Sequence, residues 1–186
     1  TEIYTLSLHD ALPILEIQEA MVDRARRSIR LNHLEEDIEI IKADIRDLVK
    51  THPGGSAELI LSNPPFWKKG QGRVNANLEE AVARHELQLT LDELVQAGAH
   101  LLVPGGKMAL IQRVARLEEV VETYARYRLY PYRMRLVHSF IDRSASLVLL
   151  EGRKNRPSKL EILAPLVIYA QPNQYSEEIK KLYQEK

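Results

Sequence analysis

The stretch Asn63-Pro64-Pro65-Phe66 constrains this chain more than any other. It closes the run Ala57-Glu58-Leu59-Ile60-Leu61-Ser62, whose apolar, β-compatible residues predict a short buried strand. A proline pair offers no N–H to a ladder, so the strand must stop there. Helical patterns lie on both sides of it, which predicts an α/β sheet with helical crossovers. Sheets of that kind place their ligand crevices at the carboxyl ends of the strands. The tetrapeptide suits a planar, amine-bearing ligand such as a nucleobase. Asn63 offers a side-chain acceptor, Pro64 and Pro65 stiffen the backbone and hold Asn63 extended, and Phe66 adds a flat face. An Asn-Pro-Pro run also serves merely to end a strand, and the four residues alone do not separate the two uses.

Read in order, the chain alternates strands and helices. Ala20, Met21, Ala25 and Ile29 recur at helical spacing between Gln18 and Leu31, with Arg24, Arg26, Arg27 and Arg30 between them, so an amphipathic helix ends near Asn32. Residues Ile38 to Ala43 read as a strand, and Asp44 caps a short helix carrying Ile45, Leu48 and Val49. Glu16 and Asp44 thus each follow a strand. Thr90 and Glu93 match a capping box that opens a helix with Leu94, Val95, Ala99, Leu101 and Leu102. Pro104-Gly105-Gly106 turns the chain into a strand, Lys107 to Ile111, and Leu117, Val120, Val121 and Tyr124 mark the next helix. Two strands then follow with no helix between them, Tyr132 to His138 and Ser146 to Gly152. Leu160 to Tyr169 is apolar enough to pack back on the body, and Tyr175 to Lys186 reads as a charged terminal helix.

Downstream of the proline pair, Trp67-Lys68-Lys69-Gly70-Gln71-Gly72-Arg73 is a glycine-containing loop of one aromatic and three bases. Interleaving of that kind favours single-stranded RNA, because Trp67 can stack on a base while Lys68, Lys69 and Arg73 meet phosphates. A plain exposed connector reads the same way. Arg84, His85 and Glu86 fall shortly before the capping box and are expected to face the crevice. No metal-ligand spacing accompanies His85, and no metal is expected.

The Asn63-Pro64-Pro65-Phe66 motif resembles the signature of the N6-adenine family of S-adenosylmethionine-dependent methyltransferases. Together with Ala83-Arg84-His85-Glu86 and the ending Pro165-Leu166-Val167-Ile168-Tyr169, the chain looks like the bacterial enzymes that methylate an adenosine of a valine tRNA, from about Glu16 to the C-terminus. The resemblance implies a Rossmann-like class I methyltransferase sheet, mostly parallel with an antiparallel last strand. It implies Glu16 on the ribose hydroxyls of S-adenosylmethionine, Asp44 on its adenine amino group with Ile45 beside it, and Asn63, Pro64, Pro65 and Phe66 around the reacting amine. Carboxylates suit the first two roles, being acceptors that face donors, although capping alone would account for Asp44 and an ordinary surface acid for Glu16. Trp67, Lys68, Lys69, Arg73, Arg84 and His85 would meet a tRNA. The same tetrapeptide also serves methylation of a protein glutamine amide, and a methyltransferase-like fold without its full cofactor site would bind RNA without catalysis.

One departure from the family matters. The first glycine is Gly54, so no glycine-rich turn precedes Glu16, and the first strand and glycine loop are expected to be missing. Residues 1–14 are expected to be a non-native leader, because Tyr4 to Ile14 resembles a translated sequencing adapter joined to a truncated gene, leaving residues 15–186 as an N-terminally truncated methyltransferase domain. They have neither the basic region nor the long apolar core of a signal peptide.

Composition narrows the class further. With no cysteine, disulfide frameworks and thiolate chemistry are excluded, and a cytoplasmic location fits. No apolar run approaches the roughly 20 residues that span a bilayer. The formal charge is zero, which argues against indiscriminate coating of nucleic acid, yet bases outnumber acids between Arg113 and Lys159. That half suits an RNA backbone or a salt-bridged surface. A monomer is expected.

Overall fold

The computed structural model describes residues 12–64 and 89–184, together with the backbone of residues 3–4. Its elements are β1 (Ile3–Tyr4), β2 (Leu12–Glu16), α1 (Glu19–Leu31), β3 (Ile38–Lys42), α2 (Ile45–Thr51), β4 (Ala57–Ser62), α3 (Leu91–Leu101), β5 (Leu102–Arg113) and α4 (Leu117–Arg126). Then come β6 (Leu129–His138), β7 (Leu147–Lys154), β8 (Glu161–Ile162), β9 (Leu166–Val167), β10 (Tyr169–Gln171), β11 (Gln174–Tyr175) and α5 (Glu177–Gln184).

The main sheet runs β3-β2-β1-β4-β5-β7-β6-β8, with β9 also on β6. β2 is parallel to β3 and β4 to β5, while β1 is antiparallel to both β2 and β4, so β2, β3, β4 and β5 all point the same way. β7 inserts antiparallel between β5 and β6, as expected, which leaves β6 pointing with the parallel set. The slot between β2 and β4 is filled by Ile3–Tyr4, in register Tyr4↔Ile14 and Ile3↔Ser62. This is not the parallel strand that leads into a glycine turn; it is a two-residue bridge that satisfies backbone groups β2 and β4 would otherwise leave open. β2 starts at Leu12 with Pro13 buried, and so straddles the boundary expected after residue 14.

Alternation along the strands sorts the core. Ile60, Met108, Leu110, Val148 and Leu150 point to one face, against Leu94, Val95 and Leu101 of α3 and Val120 and Tyr124 of α4, all buried. Tyr124 is fully buried and donates its hydroxyl to the Met108 carbonyl at 3.2 Å. Gly152 makes room for that ring: a Cβ there would sit 2.7 Å from Tyr124 Cδ2 and Cε2. Pro104-Gly105-Gly106 is not the helix-to-strand turn expected; the strand begins at Leu102 and the three residues form a bulge inside β5, with Gly105 at φ +84°. A Cβ on Gly106 would meet the Val103 carbonyl at 2.9 Å and the Ala57 carbonyl at 3.2 Å, so β5 and β4 close around a residue with no side chain. The described part of the chain has no helix long and apolar enough to cross a membrane.

Candidate cofactor and substrate crevice

Because β2 to β5 share a direction, Glu16, Asp44, Asn63 and Arg113 all come to the carboxyl edge of one sheet. The positions follow from local chemistry. Glu16 ends β2, and its Oε1 accepts from the N–H groups of Ile17 at 2.8 Å and Gln18 at 2.9 Å, which fixes the carboxylate in the turn that leads into α1. The Ala43 N–H donates to the Glu16 carbonyl at 3.2 Å, which ties the ends of β2 and β3 together. Asp44 caps α2 as expected, accepting from Arg46 N at 2.9 Å. Ile45, expected beside the cofactor, follows Asp44 directly and has its side chain buried in the core. Asn63 is exposed and Pro64 buried, two strand spacings from Glu16, roughly 10 Å.

Pro65, Phe66, Trp67, Lys68, Lys69, Arg73, Arg84 and His85 lie outside the described residues. Of the site expected from sequence, the structure therefore gathers the two carboxylates and the first half of the Asn-Pro-Pro motif.

Sequence reasoning missed Arg46. Its guanidinium embraces the Asp44 carboxylate, Nε reaching Oδ1 at 3.0 Å and Oδ2 at 2.9 Å, and this pairing holds the Asp44 carboxyl below the usual range. Arg46 Nη1 also lies 3.6 Å from Glu93 Oε1. Glu93 closes the capping box with Thr90, its Oε2 accepting from Thr90 N at 2.8 Å, and those hydrogen bonds lower its carboxyl too. One arginine thus joins the N-termini of α2 and α3 at the carboxyl edge. Nothing in the spacing of an Arg two residues after a cap marks it in advance.

Two further polar groups lie under the motif. Ser62 and Gln112 are buried on the core face, and neither Ser62 Oγ nor Gln112 Nε2 has a hydrogen-bond partner in the structure. Ser62 pairs in register with Leu110, so Gln112, two residues on, stands level with Pro64. A polar residue at a core-facing position of β5 is the signal that identifies it. On the opposite face of the sheet, Asn63, Leu61, Ala109, Leu149, Arg133 and Glu151 contribute to a cavity of about 430 Å³.

The crevice can be compared with known proteins. No protein-family model matches the chain. Proteins named tRNA1(Val) (adenine(37)-N6)-methyltransferase are similar to it: that of Tolumonas auensis is 32% identical over 136 residues, 73% of this chain and 55% of the relative. That of Porphyromonas gingivalis is 30% identical over 141 residues, 75% and 54%, and that of Bacteroides thetaiotaomicron 28% over 182 residues, 96% and 73%. Among solved structures, a predicted O-methyltransferase from Agrobacterium tumefaciens superposes with TM-score 0.68 at 20% identity, over 91% of this chain and 75% of that one. A geranyl diphosphate C-methyltransferase from Streptomyces coelicolor gives 0.53 at 13%, over 76% and 62%. These structures establish a class I methyltransferase fold. The chain spans about half the length of the first two relatives named, and by sequence it is similar to proteins named tRNA1(Val) (adenine(37)-N6)-methyltransferase.

Proposed function

We propose that this chain carries the catalytic crevice of an S-adenosylmethionine-dependent methyltransferase acting on the exocyclic N6 amine of an adenosine in tRNA, a cytoplasmic substrate. The observation that carries the reading is the convergence of Glu16, Asp44 and Asn63 on the carboxyl edge of parallel strands. The donor set fits the adenosine half of the cofactor. Glu16 and Asp44 are acceptor-only groups at adjacent strand ends, suited to ribose hydroxyls and an adenine amine.

When bound, S-adenosylmethionine supplies an electrophilic methyl group. The protein's task is to make a poor nucleophile usable, because the lone pair of the adenine amine is delocalised into its ring. The Asn63 side-chain oxygen and the Pro64 carbonyl accept the two amine N–H groups, which favours a tetrahedral nitrogen and strengthens as the transition state is approached. Holding the amine in line contributes up to roughly 7–11 kcal/mol in favourable cases. The proton released after transfer goes to solvent, so no protein base is required. The target base must leave its stack to enter the crevice, which favours a loop over a duplex.

The test is calorimetric binding of S-adenosylmethionine to this chain, followed by transfer of a labelled methyl group to unmodified tRNA and to a glutamine-containing protein substrate. Cofactor binding with label in tRNA adenosine supports the reading. Label only in the protein, or cofactor binding with no transfer to either, overturns it.

A further inference from the structure

The ending Pro165-Leu166-Val167-Ile168-Tyr169 takes no part in the crevice, yet the structure gives it a definite setting. Four aromatic rings from four separate segments stand in a row there. Phe140, in the loop after β6, lies 5.6 Å from Tyr169 of β10, centroid to centroid; Tyr169 stacks on Tyr175 of β11 at 5.3 Å with planes 12° apart; and Tyr183 of α5 follows at 5.9 Å. Tyr169 and Tyr175 are cross-strand partners in the small β10–β11 hairpin, which places both rings on one side. Exposure rises along the row. Phe140 and Tyr169 are half-buried, Tyr175 is 45% exposed and Tyr183 77%.

The row sits at the same edge as the crevice. β6 points with β4 and β5, so the loop holding Phe140 leaves the carboxyl edge just as Asn63 does. β9 pairs parallel with the end of β6, Val137↔Leu166 and His138↔Val167, and the Tyr169 N–H donates to the Ser139 carbonyl at 2.9 Å, so Tyr169 emerges at that edge as well. From β4 to β6 there are three strand spacings, roughly 14 Å across the sheet.

Packing alone does not account for the outer rings. α5 is already anchored by buried Ile179, by the ion pair of Glu178 with Arg135 at 2.6 Å, and by Ser176 Oγ accepting from Ile179 N at 3.3 Å. Tyr183 adds an exposed ring to a helix held by other means. A cation accompanies the row: Arg143 is exposed in the turn whose N–H donates to the Phe140 carbonyl. Flat faces in sequence beside positive charge are the chemistry that takes unstacked nucleobases of a single-stranded RNA, with phosphate met by the cation.

We propose that Phe140, Tyr169, Tyr175 and Tyr183 form a base-stacking track that receives unpaired nucleotides flanking the methylated adenosine, with Tyr183 as its open end. The inference rests on the tRNA reading above and adds the surface that would hold the strand outside the crevice. It is tested by fluorescence anisotropy of unmodified tRNA and of labelled oligoadenylate with the full chain and with Tyr183→Ala, Tyr175→Ala, Tyr183→Phe and Arg143→Ala, across a salt series. The exposed Tyr183 can be changed without loss of core. Tyr183→Ala is expected to weaken binding of both RNAs about tenfold with an unchanged salt slope, Tyr183→Phe to bind like the wild type, and Arg143→Ala to flatten the slope. Wild-type RNA binding that Tyr183→Ala and Tyr175→Ala leave within twofold would overturn the track alone, and is the result a protein-binding role for the rings would give. No RNA binding by the wild type would overturn both the track and the tRNA reading. Ring-dependent RNA binding without methyl transfer would uphold the track and sink the catalytic reading.

Discussion

Asp44 is both a helix cap and a candidate ligand for the cofactor's adenine, and substitution separates the two roles. In Asp44→Ala the cap on α2 disappears, which costs about 1 kcal/mol. The ion pair with Arg46 disappears too; Arg46 is 38% exposed, so solvent screening limits that loss to about 0.5–1 kcal/mol. The expected total is roughly 1.5–2 kcal/mol. Asparagine caps as well as aspartate, so Asp44→Asn should lose only the ion-pair part, whereas Arg46→Ala loses that part and its longer pairing with Glu93. Combining those two changes should cost little more than Arg46→Ala alone, because that change already removes the Asp44 ion pair. The pH dependence has a fixed sign. The Asp44 carboxyl is depressed chiefly by its hydrogen bonds from Arg46, so its contribution is present above the ordinary carboxylate pKa near about 4 and fades as pH falls through the lower folded value. The gap between wild type and Asp44→Asn in urea unfolding should therefore be full at neutral pH and close under acid. Cofactor affinity answers differently. A hydrogen bond to a charged acceptor is worth about 1.5–3 kcal/mol, so Asp44→Ala should raise the Kd for S-adenosylmethionine roughly tenfold to a hundredfold. Arg46→Ala should leave it unchanged or lower it, since the guanidinium engages the oxygens an adenine amine would use. Calorimetry at matched folded fraction reads both. If Asp44→Ala loosens the fold as calculated yet binds cofactor like the wild type, Asp44 is a cap and nothing more.

Asn63→Ala, at an exposed position, should keep the fold and lower single-turnover methyl transfer by about 10²–10³, the scale for losing one transition-state hydrogen bond, with cofactor affinity unchanged. Gly152→Ala drives a Cβ to within 2.7 Å of the buried Tyr124 ring and should destabilise by about 1–3 kcal/mol in urea unfolding; a neutral result would mean that Tyr124 shifts freely. Gln112→Leu removes a buried amide whose Nε2 has no partner but whose Oε1 accepts from Arg113 N at 2.9 Å, so the two effects offset and stability should stay within about 1 kcal/mol of wild type by thermal unfolding; a loss well beyond that would show that Nε2 is satisfied in solution as well.

What could be read from the sequence, and what could not, follows from the range of the forces involved. Strand ends, caps and helices were legible because their signals are local: Ser62 before a proline pair, Asp44 before a short apolar helix, Thr90 with Glu93 three residues on. Each needs only neighbours in the chain. The Arg46 bridge was not legible, since its second partner, Glu93, is 47 positions away and only the packing of α2 on α3 brings it near. The bulge at Pro104-Gly105-Gly106 looked like a turn for a related reason. Its residues have turn chemistry, but Leu102 already pairs with Ala57, and the tertiary partner overrides the local preference. The aromatic row is the extreme case. Phe140 and Tyr183 are distant in sequence, and nothing periodic links them; the direction of β6 decides that they share an edge with Asn63. Local chemistry therefore locates the ends of the strands, where a crevice of this fold must lie, whereas the sheet's topology determines which distant side chains stand beside it.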